Sequence, residues 1–214
     1  MIISESEQGS TEWMAERAGV ATASNFSSIF TSAGKKSTSA KGYMNSLLAE
    51  WLTGEKTSIK PSEWMLRGVE MEAEAKLAYE IITGHAVTEV GLCYQNKDRS
   101  IGASPDGLIA YDEMEENKDF EFGLEIKCPM ASNHVAYILG KKIPTSYIQQ
   151  VQGSMFVTGL DRWDFMSYHP DIKPFIITVE RDEKLMTAIK PIMDDFIGEM
   201  LMKRETLFGL VVGK

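Results

Sequence analysis

The chain has 214 residues, of which 43% are hydrophobic and 25% charged, the composition of one ordinary globular domain. No apolar run reaches the roughly 18–20 residues that a membrane span needs, and the acidic N-terminus MIISESEQGS does not resemble a signal peptide. Two cysteines are too few for a disulfide framework, so we expect reduced thiols, a cytoplasmic protein and no membrane partner.

The net charge of −9 is concentrated in the middle of the chain. Residues 61–130 contain six basic and fifteen acidic side chains, and part of this excess lies in the stretch from Asp112 to Glu121, which is typical of a solvated loop. No acidic residue lies between Glu16 and Glu50, and the basic side chains there are Arg17, Lys35, Lys36 and Lys41. This segment could contact phosphates even though the whole protein is acidic, but scattered solvated cations are an equally good interpretation.

Helical signals come first along the chain. A helix is predicted over residues 10–18, ended by Gly19, and a second begins near Thr22 or Ser24, which are both good N-cap residues. The segment TSAGKKSTSAKG is small, polar and basic, so it indicates a flexible loop. A third helix is predicted over residues 43–53.

The strongest helical pattern covers residues 61–83. Small or apolar residues recur there at alternating steps of four and three, which produces one apolar stripe: Trp64, Gly68, Met71, Ala75, Ala78 and Ile82. Gly84 follows as the expected stop. Glu72 lies beside this stripe, so we expect its carboxylate at the border of the buried face.

Strands dominate the middle of the chain, and helices return after it. The predicted strands are residues 86–94, 100–104, 109–111, 122–128, 162–168 and 174–180. Further helices are predicted over residues 132–139, 145–158 and 182–208. This order indicates an α/β or α+β class and a single domain over residues 1–214, with a central mixed sheet covered by helices.

Three polar side chains at the ends of neighbouring strands form the candidate site. In the strand GLEIKCP, the alternation of side chains turns Glu125 and Lys127 to the same face. Asp106 ends the preceding strand in the segment SPDG, where the glycine lets the chain turn. A hairpin between the two strands therefore brings Asp106 beside Glu125.

Two carboxylates and a lysine on one open edge suit metal-dependent chemistry on phosphates. Mg²⁺ prefers oxygen ligands, and when bound it acidifies water and neutralises charge on a phosphate under attack. Lys127 is expected to orient the nucleophilic water or to stabilise the transition state. Glu72 is the natural third carboxylate. A solvated strand bearing an ordinary ion pair is the alternative to this interpretation.

With these residues identified, the chain resembles the PD-(D/E)xK nucleases, through Asp106 and the segment Glu125-Ile126-Lys127. Within them it is similar to the phage lambda exonuclease-like, or YqaJ-type, alkaline exonucleases. The segments that carry this likeness occur in the same order and are RAGVATASNF, RGVEMEAEA, ASPDGL, LEIKCP, QVQGSMFVTG and VERDEKLM. The resemblance covers nearly the whole chain and implies a restriction-endonuclease-like core.

The resemblance also implies roles for individual residues. The metal ligands would be Asp106, Glu125, the backbone carbonyl of Ile126 and Glu72. The catalytic set would add Lys127 and Gln150, although a buried amide bonded to the backbone is an equal interpretation of Gln150 without the resemblance. The residues that hold a terminal 5′-phosphate would be Arg17, Ser24 and Ser104. The cofactor would be Mg²⁺, with Mn²⁺ as a substitute, and two ions are expected.

Physical arguments independent of the resemblance support the phosphate-binding residues. The planar guanidinium of Arg17 can make two hydrogen bonds to one phosphate. Thr22 and Ser24 lie at a predicted helix N-terminus, where backbone N–H groups and the helix dipole favour an anion. The alternatives are a surface ion pair between Arg17 and Glu16 and a plain helix cap at Ser24.

The function implied by the resemblance is a 5′-to-3′ exonuclease that degrades one strand of linear double-stranded DNA. Such a protein would act processively as a ring-shaped homotrimer and pass the 3′ single strand to a single-strand-annealing recombinase. Two alternatives stay open: an endonuclease of the same fold and a non-catalytic DNA-end-binding protein.

Overall fold

A computed structural model of the protein describes residues 1–56, 63–111 and 119–212. Its elements in chain order are β1 (Ile2–Ile3), α1 (Thr11–Glu16), β2 (Ala21–Thr22), a 3₁₀ helix (Ala23–Ser28), α2 (Ala40–Thr53), α3 (Glu63–Thr83), β3 (Cys93–Tyr94), β4 (Ile101–Ala103), β5 (Gly107–Ala110), β6 (Phe120–Lys127), α4 (Ala131–Gly140), α5 (Thr145–Thr158), β7 (Arg162–His169), β8 (Ile172–Glu180) and α6 (Glu183–Val212). Within these ranges no helix combines the length and apolarity of a bilayer-spanning segment.

The strands form two mixed sheets of four strands each. The first sheet has the order β1-β3-β4-β2, and only its β2–β4 pair is parallel. The second has the order β5-β6-β7-β8, with β6 and β7 parallel. The predicted α/β class with helix-covered mixed strands is confirmed, although one central sheet was expected. The chain crosses from β4 in the first sheet to β5 in the second through Ser104, Pro105 and Asp106.

The parallel pair β6–β7 determines which side chains face which helix. Parallel neighbours need a long crossover connection, which α4 and α5 supply here. The register pairs Glu125 with Phe165 and Lys127 with Ser167. Leu124 and Ile126, on the opposite face, pack in an apolar cluster that includes Tyr79 of α3. The alternation predicted for GLEIKCP is therefore present in β6, with its polar face turned away from α3.

The larger apolar cluster is formed by side chains of α2, α5, α6, the 3₁₀ helix and both sheets. It contains fully buried aromatic side chains such as Phe26, Phe165 and Phe196, each of which contributes roughly 1.5–3 kcal/mol through burial. Gly123 of β6 lies under the ring of Trp163, since a Cβ at that position would be 2.4 Å from the indole carbons. The Trp163 side chain therefore packs directly on the backbone of the strand that carries Glu125.

The strand predicted over residues 86–94 is wrong over most of its length. Only Cys93–Tyr94 is a strand, with an isolated bridge between Thr88 and Leu108. Backbone groups in this segment form hydrogen bonds with side chains instead of with a neighbouring strand. The N–H of Val87 donates to Glu80, and the carbonyl of Val90 accepts from Gln8. A segment whose backbone groups are used in this way cannot pair as a regular strand.

Several predicted helical features also need correction. The helix near Thr22 and Ser24 is a 3₁₀ helix of six residues. The TSAGKK part of the predicted flexible loop is a turn, in which the N–H of Thr31 donates to the carbonyl of Lys35 and the N–H of Gly34 donates to the carbonyl of Thr31. Ile82, placed on the apolar stripe of α3, is 54% exposed, because Tyr79 takes the buried position. Trp64 and Gly68 lie outside the residues whose side chains are described, as do positions 112–118 of the acidic stretch.

Candidate active site

Asp106 lies beside Glu125, as the hairpin predicts. Its backbone N–H donates to the carbonyl of Leu124 at 3.1 Å. One oxygen of its carboxylate, Oδ2, accepts from the N–H of Ile126 at 2.5 Å. Asp106 is thus bonded to β6 on both sides of Glu125, so the two carboxylates are held next to each other by backbone hydrogen bonds.

Glu125 is almost fully buried, with 1% of its surface exposed. Its Oε1 accepts hydrogen bonds from the ammonium of Lys127 and from the side-chain amide of Gln150, the latter at 2.5 Å. Its Oε2 is buried and has no hydrogen-bond partner among the described residues. A buried carboxylate oxygen without a donor is costly, so Oε2 is in the position expected of a group that binds a cation.

Burial and neighbouring charges both shift pKa values in this cluster. Burial and then the neighbouring Glu125 carboxylate raise the pKa of Asp106 to about 8. Burial lowers the pKa of Lys127, but the Glu125 and Asp106 carboxylates outweigh it and raise that pKa well above the ordinary value. Without a bound metal, these carboxylates favour the ammonium form of Lys127, which can stabilise negative charge.

Glu72 borders the site but does not join the two carboxylates. It lines a cavity of about 740 Å³ together with Asp106, and its carboxylate forms an ion pair of 2.9 Å with Lys76, one helical turn further along α3. Lys76 also binds Glu89 at 2.8 Å. The expected third carboxylate is thus held by a neighbouring cation, because the i,i+4 spacing of α3 places the two side chains together.

The residues present fit a hard cation bound by two carboxylates. Within the described part of the chain, no three His, Cys, Asp or Glu side chains are already gathered into a metal cluster. Asp106 and Glu125 nevertheless supply adjacent carboxylates, and Oε2 of Glu125 lacks a protein donor. Mg²⁺ commonly binds through one or two carboxylates and keeps several waters. The metal-binding roles of Glu72 and of the Ile126 carbonyl remain predictions.

Arg17 is not the surface residue that an ion pair with Glu16 would require. It is 8% exposed, and its Nη1 donates to Oγ of Ser104 at 2.5 Å, while Glu16 accepts from Ser4 instead. The guanidinium lies 4.3 Å from the centre of the Trp13 ring, and its Nε has no partner among the described residues. A buried guanidinium with an unused donor is suited to binding an anion.

Of the other residues predicted to contact phosphate, only Ser104 is hydrogen-bonded to Arg17 among the described contacts. Ser104 is beside Arg17, two residues before Asp106. Thr22 is buried and Ser24 is exposed, with their hydroxyl oxygens 3.3 Å apart, and neither makes the side-chain cap that was the alternative for Ser24. Lys35 and Lys36 are exposed, and their contact with DNA stays a prediction.

Three residues around Arg17 were missed by the sequence reasoning. The hydroxyl of Tyr43 accepts from the N–H of Thr22 at 3.3 Å, and the buried carboxylate of Glu50 accepts from the N–H of Gly19. Lys56 is half-buried, and burial, followed by repulsion from Arg17, lowers its pKa to about 8. No local pattern predicts this cluster, since it joins the C-cap of α1, both ends of α2 and Lys56, which lies beyond the end of α2.

The chain is similar to known proteins over most of its length. The sequence model of the YqaJ-like viral recombinase domain matches residues 12–161. The crystal structure of the alkaline exonuclease LHK-Exo from Laribacter hongkongensis is 33% identical, with a TM-score of 0.79, and covers 95% of this chain and 99% of its own. The same protein in complex with dAMP matches at 34% identity with equal coverage and TM-score.

Two weaker similarities accompany these. A phage related exonuclease from Haemophilus somnus 129PT is 16% identical, with a TM-score of 0.59 over 86% of this chain and 96% of that one, which shows a shared fold. The putative uncharacterized protein ExoD of Escherichia coli K12 is 38% identical over 61 residues, which are 27% of this chain and 70% of that protein. Because the family match spans well over half of the sequence and includes the Asp106–Glu125–Lys127 cluster, the chain belongs to the YqaJ-like viral recombinase domain family.

Proposed function

We propose that the protein is a Mg²⁺-dependent exonuclease that degrades one strand of linear double-stranded DNA from its 5′ end. The observation that carries this proposal is the pairing of Asp106 with a buried Glu125 whose Oε1 is saturated and whose Oε2 lacks a donor. The same activity is supported by the similarity to LHK-Exo, an alkaline exonuclease that matches 95% of this chain.

In this proposal the carboxylates hold the metal, and Lys127 stabilises charge on the phosphate. Asp106 and Glu125 would hold Mg²⁺ or Mn²⁺, expected as two ions, through their carboxylates, and Gln150 holds the Glu125 carboxylate by a hydrogen bond. The metal would supply the acidification of a water and the neutralisation of charge on the phosphate. Lys127 remains protonated and stabilises the negative charge that develops on the phosphate under attack.

Recognition of the strand end is assigned to the cluster around Arg17. The guanidinium can present two N–H groups to a terminal phosphate, and its link to Ser104 places this cluster two residues from Asp106 in the chain. Lys56 adds a second cation near Arg17. We assign the 5′-phosphate to this cluster, with Thr22 and Ser24 as further hydroxyl donors and Lys35 and Lys36 as contacts to the duplex.

We further propose a homotrimeric ring that encloses the duplex and passes 3′ single strands to a single-strand-annealing recombinase. The chain would be encoded by a phage or prophage and act in the host cytoplasm. In support of an assembly, large apolar side chains are exposed on α3 and α4, among them Leu77, Ile81, Ile82 and Leu139. Exposed apolar surface of this kind is typical of faces that contact other proteins.

The deciding experiment is digestion of linear duplex DNA carrying either a 5′-phosphate or a 5′-hydroxyl, with and without Mg²⁺. We expect nucleotides to be released only with metal, and faster from phosphorylated ends. Lys127→Ala should fold and bind ends but release no nucleotides, whereas Lys190→Ala, which removes an exposed cation paired with Asp194, should behave as the parent protein.

A covalently closed circular duplex separates the alternatives. An exonuclease leaves this substrate intact, whereas an endonuclease of the same fold converts it to a linear form. Binding of duplex ends without release of nucleotides in either Mg²⁺ or Mn²⁺ would identify a non-catalytic end-binding protein and overturn the proposal.

A further inference from the structure

Gln8 connects the N-terminal segment to the peptide that carries Asp106. Its side-chain nitrogen donates to the carbonyl of Pro105 at 2.7 Å and to the carbonyl of Val90 at 2.8 Å. The side chain is half-buried, and it lines the same cavity as Asp106 and Glu72. Both N–H groups of the amide are therefore used, one of them on the residue directly before a candidate metal ligand.

The bond to Pro105 acts on Asp106 through a single rigid unit. The carbonyl of Pro105 and the N–H of Asp106 belong to one planar peptide group. Gln8 holds the oxygen of that group, and the carbonyl of Leu124 accepts from its N–H at 3.1 Å. With both polar atoms of the plane held, the Cα of Asp106 is held in place, and from there the carboxylate reaches the N–H of Ile126.

The position of Gln8 is itself determined by the local sequence. Gly9 follows with a φ of +86°, which favours glycine, and Ser10 caps α1 by accepting from the N–H of Trp13. Arg17, the C-cap of the same helix, binds Ser104. Gln8, before the N-cap of α1, and Arg17, its C-cap, therefore bind Pro105 and Ser104, the two residues immediately before Asp106.

We propose that Gln8 is a positioning residue of the metal site: by holding the Pro105 carbonyl it keeps the Asp106 carboxylate in the orientation that binds the cation. The inference rests on the proposed function only for the role of the cation in turnover. Loss of a partner that orients a metal ligand typically weakens metal binding or activity about 10–100-fold. A bond that only attached the N-terminal segment would affect stability and leave metal binding unchanged.

The test compares Gln8→Met with Gln95→Met. Methionine has nearly the same length as glutamine and cannot donate. Gln95 is a matched control, because it is also half-buried and donates its amide to a distant backbone carbonyl, that of Phe156 at 3.0 Å. Two quantities are measured: the affinity for Mn²⁺ alone, followed by electron paramagnetic resonance of the DNA-free protein, and the Mg²⁺ concentration that gives half-maximal release of nucleotides.

We expect Gln8→Met to weaken Mn²⁺ binding about tenfold and to raise the required Mg²⁺ by a similar factor, while Gln95→Met matches the parent protein in both. Equal metal affinities for both variants and the parent would overturn the proposal, whatever their thermal midpoints. If Gln8→Met does not fold, Gln8→Asn, whose amide is one methylene short of the carbonyls, must show the same loss. The Mn²⁺ measurement stands even if the parent protein releases no nucleotides, a result that would refute the proposed function alone.

Discussion

The side-chain amide of Gln150 on α5 donates to Oε1 of Glu125 on β6 at 2.5 Å. Lys127 donates to the same oxygen, so both protein donors lie on one side of the carboxylate and Oε2 is left without one. The crossover from β6 through α4 and α5 thus returns to fix a side chain of the strand from which it departs.

Removing this amide should impair metal binding or turnover without unfolding the protein. We expect Gln150→Ala to lower activity at limiting Mg²⁺ about 10–100-fold, because Glu125 loses the donor that orients it. Initial rates of nucleotide release at increasing Mg²⁺ provide the measurement. Gln149→Ala, at the adjacent half-buried position of α5, is the control. Identical metal dependence in the two variants would show that Gln150 has no orienting role.

Asp106 should make the metal-free protein less stable as the pH rises. The pKa of the Asp106 carboxyl is raised to about 8 in the folded protein, whereas it has the ordinary value of about 4 in the unfolded chain. Between these values the unfolded chain has released a proton that the folded protein retains, so rising pH favours unfolding, and the penalty is complete above about pH 8. Thermal midpoints across this window should decline for the parent protein and stay flatter for Asp106→Asn.

The affinity for Mg²⁺ should have the opposite dependence on pH. A cation that binds Asp106 displaces its proton, so affinity rises by up to about tenfold per pH unit below about pH 8 and then levels off. The measurement is the Mg²⁺-dependent increase in thermal midpoint at a series of pH values. Affinity that does not change between about pH 6 and 8 would contradict a raised pKa at this residue.

Replacing Arg17 by lysine should remove the preference for phosphorylated ends. Lysine keeps the charge but cannot make two parallel hydrogen bonds to one phosphate. We expect Arg17→Lys to lower the rate on 5′-phosphorylated duplex about tenfold or more, with little change on 5′-hydroxyl duplex. Arg99→Lys is the control, since Arg99 also lies over an aromatic ring, that of Tyr94, but is exposed. A preserved preference in Arg17→Lys would remove Arg17 from end recognition.

A buried hydrogen bond beneath β6 should contribute to stability alone. The hydroxyl of Tyr79 donates to the buried carboxylate of Asp164 at 2.7 Å, and Thr178 donates to the other oxygen at 2.8 Å. Tyr79→Phe should lower the free energy of unfolding by about 1–3 kcal/mol, measured by urea denaturation. Tyr94→Phe should cost less, because that hydroxyl makes only a 3.5 Å contact. Changed Mg²⁺ dependence in Tyr79→Phe would contradict a purely structural role.

The sequence predicts the centre of the site well because its geometry is local. Alternation along β6 places Glu125 and Lys127 on one face, and the hairpin from β5 brings Asp106 to them. Such periods and turns depend on neighbouring residues, so they can be derived from a single chain. The family resemblance adds Gln150, whose contact with Glu125 spans 25 positions and has no local signature.

The parts that sequence could not provide depend on distant contacts. Gln8 binds a carbonyl 97 positions away, and Arg17 binds a hydroxyl 87 positions away. The N-terminal segment likewise binds the distant carbonyls of Val90 and Leu92, which lie in the segment wrongly predicted as a strand. The ion pair of Glu72 with Lys76 could have been predicted, since the i,i+4 spacing is visible in the sequence.

Three successive residues at the crossing between the sheets have three separate partners: Ser104 binds Arg17, Pro105 binds Gln8 and Asp106 binds Ile126. An insertion or deletion here would shift at least one of them out of reach. The other end of the β5–β6 hairpin, after Ala110 and before Phe120, is about 13 Å away along the strand. A change of chain length at that end would leave these three contacts in place.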